Sequence, residues 1–106
     1  MYVTVHNYTI GSGTQVDLAR EAQSFVAEAA SINGFRAYYM IDAGDALIAS
    51  VAVFDTPEGI EECDRRATQF VERKLAGFRL SDIEVREGQV LASQTAAAAE
   101  AAPAEA

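Results

Sequence analysis

His6 is the only histidine of the chain. With an unperturbed pKa of about 6.5, an imidazole is the side chain best suited to take or return a proton near neutrality. His6 is therefore the candidate catalytic base. The same residue type also serves as a partly buried, hydrogen-bonded member of many cores. Cys63 is the only cysteine. One histidine on a strand pattern and one cysteine on a helix stripe do not have the spacing of zinc or iron ligands, so no metal and no cofactor are expected. Nothing near Cys63 predicts a depressed thiol pKa, and it reads as a small core residue. Tyr8, Tyr38 and Tyr39 carry hydroxyls that could orient an aromatic ligand, although sheet packing and subunit contact use tyrosine equally well. Gly11-Ser12-Gly13 lacks the lysine and third glycine of a phosphate loop, which removes nucleotide binding.

The elements that must position these residues follow from periodicity and punctuation. Tyr2 to Ile10 alternates and is rich in β-branched and aromatic types, and the Gly11-Ser12-Gly13 break ends it, which predicts a first strand carrying His6. Thr14 with Asp17 three residues later is a capping arrangement. Leu18, Ala22, Phe25, Ala29 and Ile32 then make an apolar helical stripe that Gly34 closes near Ser31. Phe35 to Ile41 and Ala46 to Phe54 read as two strands joined by a hairpin at Asp42-Ala43-Gly44-Asp45. Thr56-Pro57-Glu58 is a cap, a first-turn proline and a favourable acid, so a second helix runs from there to about Leu75, with Ile60, Cys63, Ala67, Phe70 and Val71 inward. Ser81 to Leu91, with Ile83 and Val85 against Glu84 and Arg86, gives a fourth strand that Gly88 is expected to bend.

The 106 residues leave room for one domain, placed at 1–92, followed by an alanine-rich flexible tail at 93–106 that lacks large apolar side chains. Sixteen acidic against eight basic residues give a net charge of -8, which disfavours nucleic acid and anionic membranes. No apolar run approaches the roughly 20 residues of a spanning helix, no secretory leader opens the chain, and the cytoplasm is the expected location.

Strand, helix, two hairpin strands, helix, strand is the split βαββαβ order: an α+β, ferredoxin-like fold with a four-stranded antiparallel sheet and both helices on one face. Within it, Gly34-Phe35-Arg36-Ala37-Tyr38-Tyr39 and Ser50-Val51-Ala52-Val53-Phe54-Asp55-Thr56-Pro57-Glu58-Gly59 resemble the second strand, third strand and second-helix start of antibiotic-biosynthesis-monooxygenase-like proteins. The resemblance spans about Tyr2 to Leu91. It implies a homodimer in which two sheets meet through their uncovered faces to form a dimeric α/β barrel. It also implies functions among cofactor-free oxygenases of aromatic compounds, heme-degrading enzymes and proteins without known activity. Heme-degrading relatives place a functional asparagine near the end of the first strand, where Asn7 stands, so Asn7 joins His6 as a candidate catalytic residue; a strand-end asparagine also serves the following turn. Those relatives also use a tryptophan and a heme-ligating histidine on the second helix. This chain has no tryptophan and no histidine in helix 57–75, which argues against heme.

Adjacent strand residues point to opposite faces. Tyr38, His6, Tyr8, Ser50 and Met40 are assigned to the open face, as the lining of the dimer cavity, because Val3, Val5, Ala49, Val51 and Val53 then give the helices a smoother floor. Asn7 argues for the opposite parity. Two functions follow: a small hydrophobic or aromatic molecule bound in the dimer barrel, with Tyr8, Tyr38, Met40 and Ser50 as ligand contacts and cofactor-free oxygenation as the chemistry, or a non-catalytic module whose sheet face serves only dimerisation.

Overall fold

The computed structural model of the chain describes residues 1–96. The elements are β1 (Tyr2–Thr9), α1 (Gln15–Ala30), β2 (Phe35–Gly44), β3 (Leu47–Phe54), α2 (Pro57–Lys74), a short 3-10 turn (Ala76–Phe78) and β4 (Ser81–Gln89). The four strands form one antiparallel sheet in the order β2-β3-β1-β4, the ferredoxin-like arrangement expected from the element order. The greater part of the tail expected at 93–106 lies outside the described residues. No helix among them is long and apolar enough to cross a membrane.

Both helices begin where side-chain capping dictates. The Thr14 hydroxyl accepts from the Asp17 amide at 3.1 Å, and that of Thr56 accepts from the Gly59 amide at 3.3 Å with Pro57 in the first turn, each satisfying an amide that has no helical partner. The hairpin differs from expectation. β2 continues through Gly44, and the turn is Asp45-Ala46, both with positive φ (51° and 63°). Two left-handed residues in succession match the right-handed twist of the flanking strands, the geometry of a two-residue hairpin. β4 likewise runs through Gly88 without ending there. Its irregularity sits at Asp82, at φ 53°, where the β1–β4 register shifts between Asn7 and Thr9; this extra residue is a β-bulge.

The core lies between the sheet and the helices. Leu18, Phe25 and Ala29 of α1 and Ile60, Cys63 and Phe70 of α2 pack on Tyr8, Ile48, Ala52 and Phe54. Exposure along β3 alternates strictly from Ile48 to Phe54, so one face of the sheet is covered and the other is not. The covered face holds Thr4, His6, Tyr8, Ser50, Ala52, Tyr38 and Met40, as the register and packing require. Val3, Val5, Asn7, Ala49, Val51, Val53, Tyr39 and Ile41 occupy the opposite, open face. This reverses the parity read from the sequence. Helices are round and leave gaps above a sheet; Tyr8, Ile48, Phe54 and Tyr38 fill them around the small Thr4, Ser50 and Ala52, while valines with Tyr39 and Ile41 make the outer surface.

Candidate functional site

α2 lies over β1 and β3 and leaves the covered-side face of β4 without a helix above it. Ile83 and Val85, on that face, remain half exposed at 54% and 48%. The gap is a cleft of about 290 Å³, lined by His6 and Tyr8 of β1, Ala67 and Val71 of α2, Leu80, and Ile83 and Val85 of β4, with Thr68 and Glu72 at its helical side. Its walls are chiefly apolar, and its size sits at the lower end of the range for small-molecule sites. Behind it an inner pocket of about 40 Å³ shares His6, Tyr8, Ala67 and Val71 and adds Tyr38, Met40 and Ser50. Deeper still, Thr4, His6, Tyr38, Ser50 and Cys63 line a chamber of about 10 Å³, roughly the room one water needs.

His6 is fixed by Asp64, a residue of α2 that was not singled out in the sequence. The His6 Nε2 lies 2.8 Å from Asp64 Oδ1, with the two side chains 18% and 19% exposed. The Thr4 hydroxyl, almost fully buried, donates to the same carboxylate at 3.0 Å. Burial disfavours the Asp64 charge, but hydrogen bonds from His6, Glu87 and Thr4 outweigh it and hold the carboxyl below its ordinary range. An ionised Asp64 accepts from His6 Nε2 and thereby selects the tautomer in which Nδ1 carries the free lone pair. The arrangement is an oriented general base beside an apolar cleft.

Glu87, opposite Thr4 on β4, completes the cluster. Its hydrogen bond to Asp64 is the main reason its carboxyl is pushed up to about 7, with burial and the charges of Asp64 and Glu61 adding to the shift. A raised acid stabilises the fold in its protonated form. This contribution is full below the ordinary value of 4.5 and fades as pH rises through about 7. The expected outcome is a melting temperature that declines between those pH values in the wild type and flattens in Glu87→Gln. The result is read by thermal unfolding at fixed protein concentration, and equal slopes would remove the assignment. Asp64, depressed, acts in the opposite sense: its contribution is present above its ordinary 3.8 and is lost on acidification below that.

The sequence candidates thus separate. His6, Tyr8, Tyr38, Met40 and Ser50 gather around the cleft and inner pocket, on the helix side of the sheet and not on its open face. Asn7 sits on the open face, opposite Ala49 and Glu84, so the sheet separates it from a ligand beside His6. Burial, the largest effect, lifts the Tyr38 hydroxyl above its ordinary value although a bond from Ser50 opposes it. Burial lifts that of Tyr8 as well, and both remain protonated hydrogen-bonding groups. The Cys63 thiol, pushed up to about 12 by burial first and then by Asp64, is a core residue. Among the described residues no cluster of three or more potential ligands could hold a metal ion.

No family model and no curated protein matches the chain. Solved structures do. A Deinococcus radiodurans protein assigned as an antibiotic biosynthesis monooxygenase superposes with a TM-score of 0.73 at 9% identity, covering 92% of this chain and 99% of its own. SnoaB, a cofactor-independent oxygenase from Streptomyces nogalater, gives 0.66 at 19% identity over 89% and 94%. The heme-degrader MhuD from Mycobacterium tuberculosis, with two hemes bound in its active site, gives 0.68 at 12% identity over 90% and 100%. The agreement of element order, sheet topology and near-complete superposition means that the chain has the fold of the antibiotic-biosynthesis-monooxygenase-like proteins.

Proposed function

We propose that the protein binds a small hydrophobic or aromatic weak acid in the cleft between its sheet and α2 and, as a cofactor-independent monooxygenase, oxygenates it with His6 as the base. The observation that carries this reading is the apolar cleft of about 290 Å³ with the His6–Asp64 pair at its wall. His6 Nδ1 takes a proton from an activated CH₂ group. The carbanion so formed is the reductant: it gives its electrons to dioxygen and forms a peroxide, which loses water to leave a carbonyl. One CH₂ group and one O₂ thus become one C=O and one H₂O. Buried hydroxyls of Tyr8 and Tyr38, with Ser50, serve as hydrogen-bonding contacts to the developing anion, and Met40 fills the apolar end. The net charge of -8 favours a ligand that enters neutral and ionises only beside His6.

The test is thermal shift with naphthols as binding probes, and thermal shift with oxygen uptake on anthrones, which carry the activated CH₂ group, with Ala67→Phe as the blocking variant. Ala67 lines the cleft and both inner chambers, so a phenyl ring there removes their common space. Binding and uptake present in the wild type and abolished in a folded Ala67→Phe protein are the expected result. Binding that survives the plug would place the ligand elsewhere.

The open face supports a homodimer independently of the ligand. Val3, Val5, Val51 and Val53 present a contiguous apolar surface, with Tyr39 and Ile41 exposed at 62% and 45%, of the kind that marks an interface. Val51→Glu, at its centre, is expected to shift the protein from dimer to monomer in light scattering, since a buried carboxylate pair across a two-fold axis costs several kcal/mol. A wild type that stays monomeric at high concentration would overturn this part. A non-catalytic module needs only that face, and it leaves the oriented histidine on the other side of the sheet without a role.

A further inference from the structure

We propose that the inner pocket behind His6 is a dioxygen site, from which the gas meets a ligand seated in the outer cleft on that ligand's core-facing side. The reaction ascribed to the dioxygen rests on the proposed function; occupancy of the pocket does not. The two spaces share a frame of four residues, His6, Tyr8, Ala67 and Val71, which line both.

Size and polarity select the occupant. One water-sized sphere takes roughly 10–15 Å³ of such a space, so the pocket of about 40 Å³ holds a molecule of a few heavy atoms and no aromatic ring. Its floor is the sheet, with His6, Tyr8, Tyr38 and Ser50. Its roof includes Ala22 and Phe25 of α1, Phe70 of α2 and the capping Leu75, all buried and without hydrogen-bonding side chains. A water there bonds on one side only, and the deeper chamber of about 10 Å³, with Thr4, His6, Tyr38 and Ser50 around it, suits one better. An apolar diatomic molecule gives up no hydrogen bonds beneath that roof.

The one-sided polarity also suits what dioxygen becomes. His6 Nδ1 takes a proton from the ligand's CH₂ group, and the electron pair left on carbon forms the C–O bond as dioxygen is reduced to the peroxide level. Negative charge then develops on the outer oxygen, over the floor that carries the Tyr38 and Ser50 hydroxyls, where donors stabilise it. The Nδ1 proton passes to that oxygen, and the hydroperoxide loses water to leave the carbonyl. Every electron that leaves the carbon enters dioxygen, whose two atoms end in the C=O group and in H₂O.

Dioxygen is paramagnetic and serves as its own probe. Ala22 and Leu75 line the inner pocket and not the cleft, whereas Ile83 and Val85 line the cleft and not the pocket. In proton NMR of the wild type under raised dioxygen pressure, with nitrogen as control, the Ala22 and Leu75 methyls are expected to relax faster than those of Leu18, which is as buried but lines neither space. Added 2-naphthol should shift Ile83 and Val85 and leave the dioxygen effect at Ala22 and Leu75 in place. Ala22→Val puts methyl groups into the pocket and none into the cleft. It is expected to raise the KM for dioxygen about tenfold with an anthrone as substrate, with kcat at saturating dioxygen close to wild type and folding checked by circular dichroism. Equal relaxation at Ala22, Leu75 and Leu18 in the wild type, or an unchanged KM for dioxygen in the folded variant, overturns the site. If the variant does not fold, the wild-type relaxation decides. If no anthrone is turned over, the proposed function is what fails, and the same relaxation still decides whether dioxygen occupies the pocket.

Discussion

His6→Ala is expected to lower the rate of oxygen uptake on the best anthrone substrate by about 10²–10⁴-fold, the usual worth of a positioned general base. Asp64→Asn keeps the shape of the partner but removes the charge that fixes the His6 tautomer and stabilises the imidazolium. It should lower kcat by about 10–100-fold with little change in KM, as expected for a group acting through another. Because both act on one proton transfer, the double variant should be no slower than His6→Ala alone. The split between kcat and KM separates this from a structural role: kcat falls in both variants while KM stays near the wild-type value. Full additivity, or turnover untouched by His6→Ala, would sink the assignment of the base. A stability cost accompanies Asp64→Ala, since the Thr4 hydroxyl, 1% exposed, loses its acceptor; about 1–3 kcal/mol is the range for an orphaned buried donor. Activity is therefore compared at a temperature where each variant is folded.

That Asp64 escaped the reading of the sequence has a physical reason. It stands in Glu61-Glu62-Cys63-Asp64-Arg65-Arg66, where charges of both signs read as a solvated helix face. Part of that stretch is solvated: Glu62 pairs with Arg65 and Arg66, and Arg66 reaches Glu28 of α1. Asp64 nevertheless lies four residues after Ile60 and three before Ala67, on the line Ile60, Asp64, Ala67, Val71 that helical geometry aims inward. An acid on that line in a chain with a single histidine was the available signal. Glu87 carried none, since its neighbourhood with Asp64 exists only once β4 pairs with β1. The elements themselves were legible because caps, proline and glycine act locally: Thr14, Thr56-Pro57 and Gly34 mark their boundaries within about a residue. Facing was not legible. β3 is apolar at nearly every position from Leu47 to Phe54 and its two faces carry side chains of similar total size, so neither hydrophobicity nor bulk along this strand says which set lies under the helices; the aromatic rings of the neighbouring strands, Tyr8 and Tyr38, went inside with Ile48 and Phe54. That choice moved His6 from the open face of the sheet to the cleft beside α2.

Phe54→Ala is expected to be the most damaging core substitution, at about 3–5 kcal/mol, a large part of the total stability of a domain this small. Phe54 is fully buried, stands at the end of β3 in register with Tyr2 and Phe35, and meets the Phe35 ring edge-on at 5.7 Å. On its other side α2 comes unusually close. A Cβ added at Gly59 would lie 2.6 Å from Phe54 Cδ2 and 3.0 Å from its Cβ, well inside contact distance. Glycine is kept there despite its cost of about 1 kcal/mol against alanine within a helix, because the ring needs the space. The two positions should therefore couple with a change of sign. Gly59→Ala in the wild type trades that helical gain for overpacking of about 1–3 kcal/mol and comes out destabilising. In Phe54→Ala the same methyl enters the space the ring has left, both the propensity and the filled void favour it, and it should stabilise. Urea unfolding of the four proteins at one fixed concentration measures the coupling, since any association would add to apparent stability. Gly59→Ala having the same sign in both backgrounds would mean that α2 retreats from β3 without cost. In that case the tight seating of α2, which also holds Asp64 against His6, would not be what fixes the geometry of the cleft.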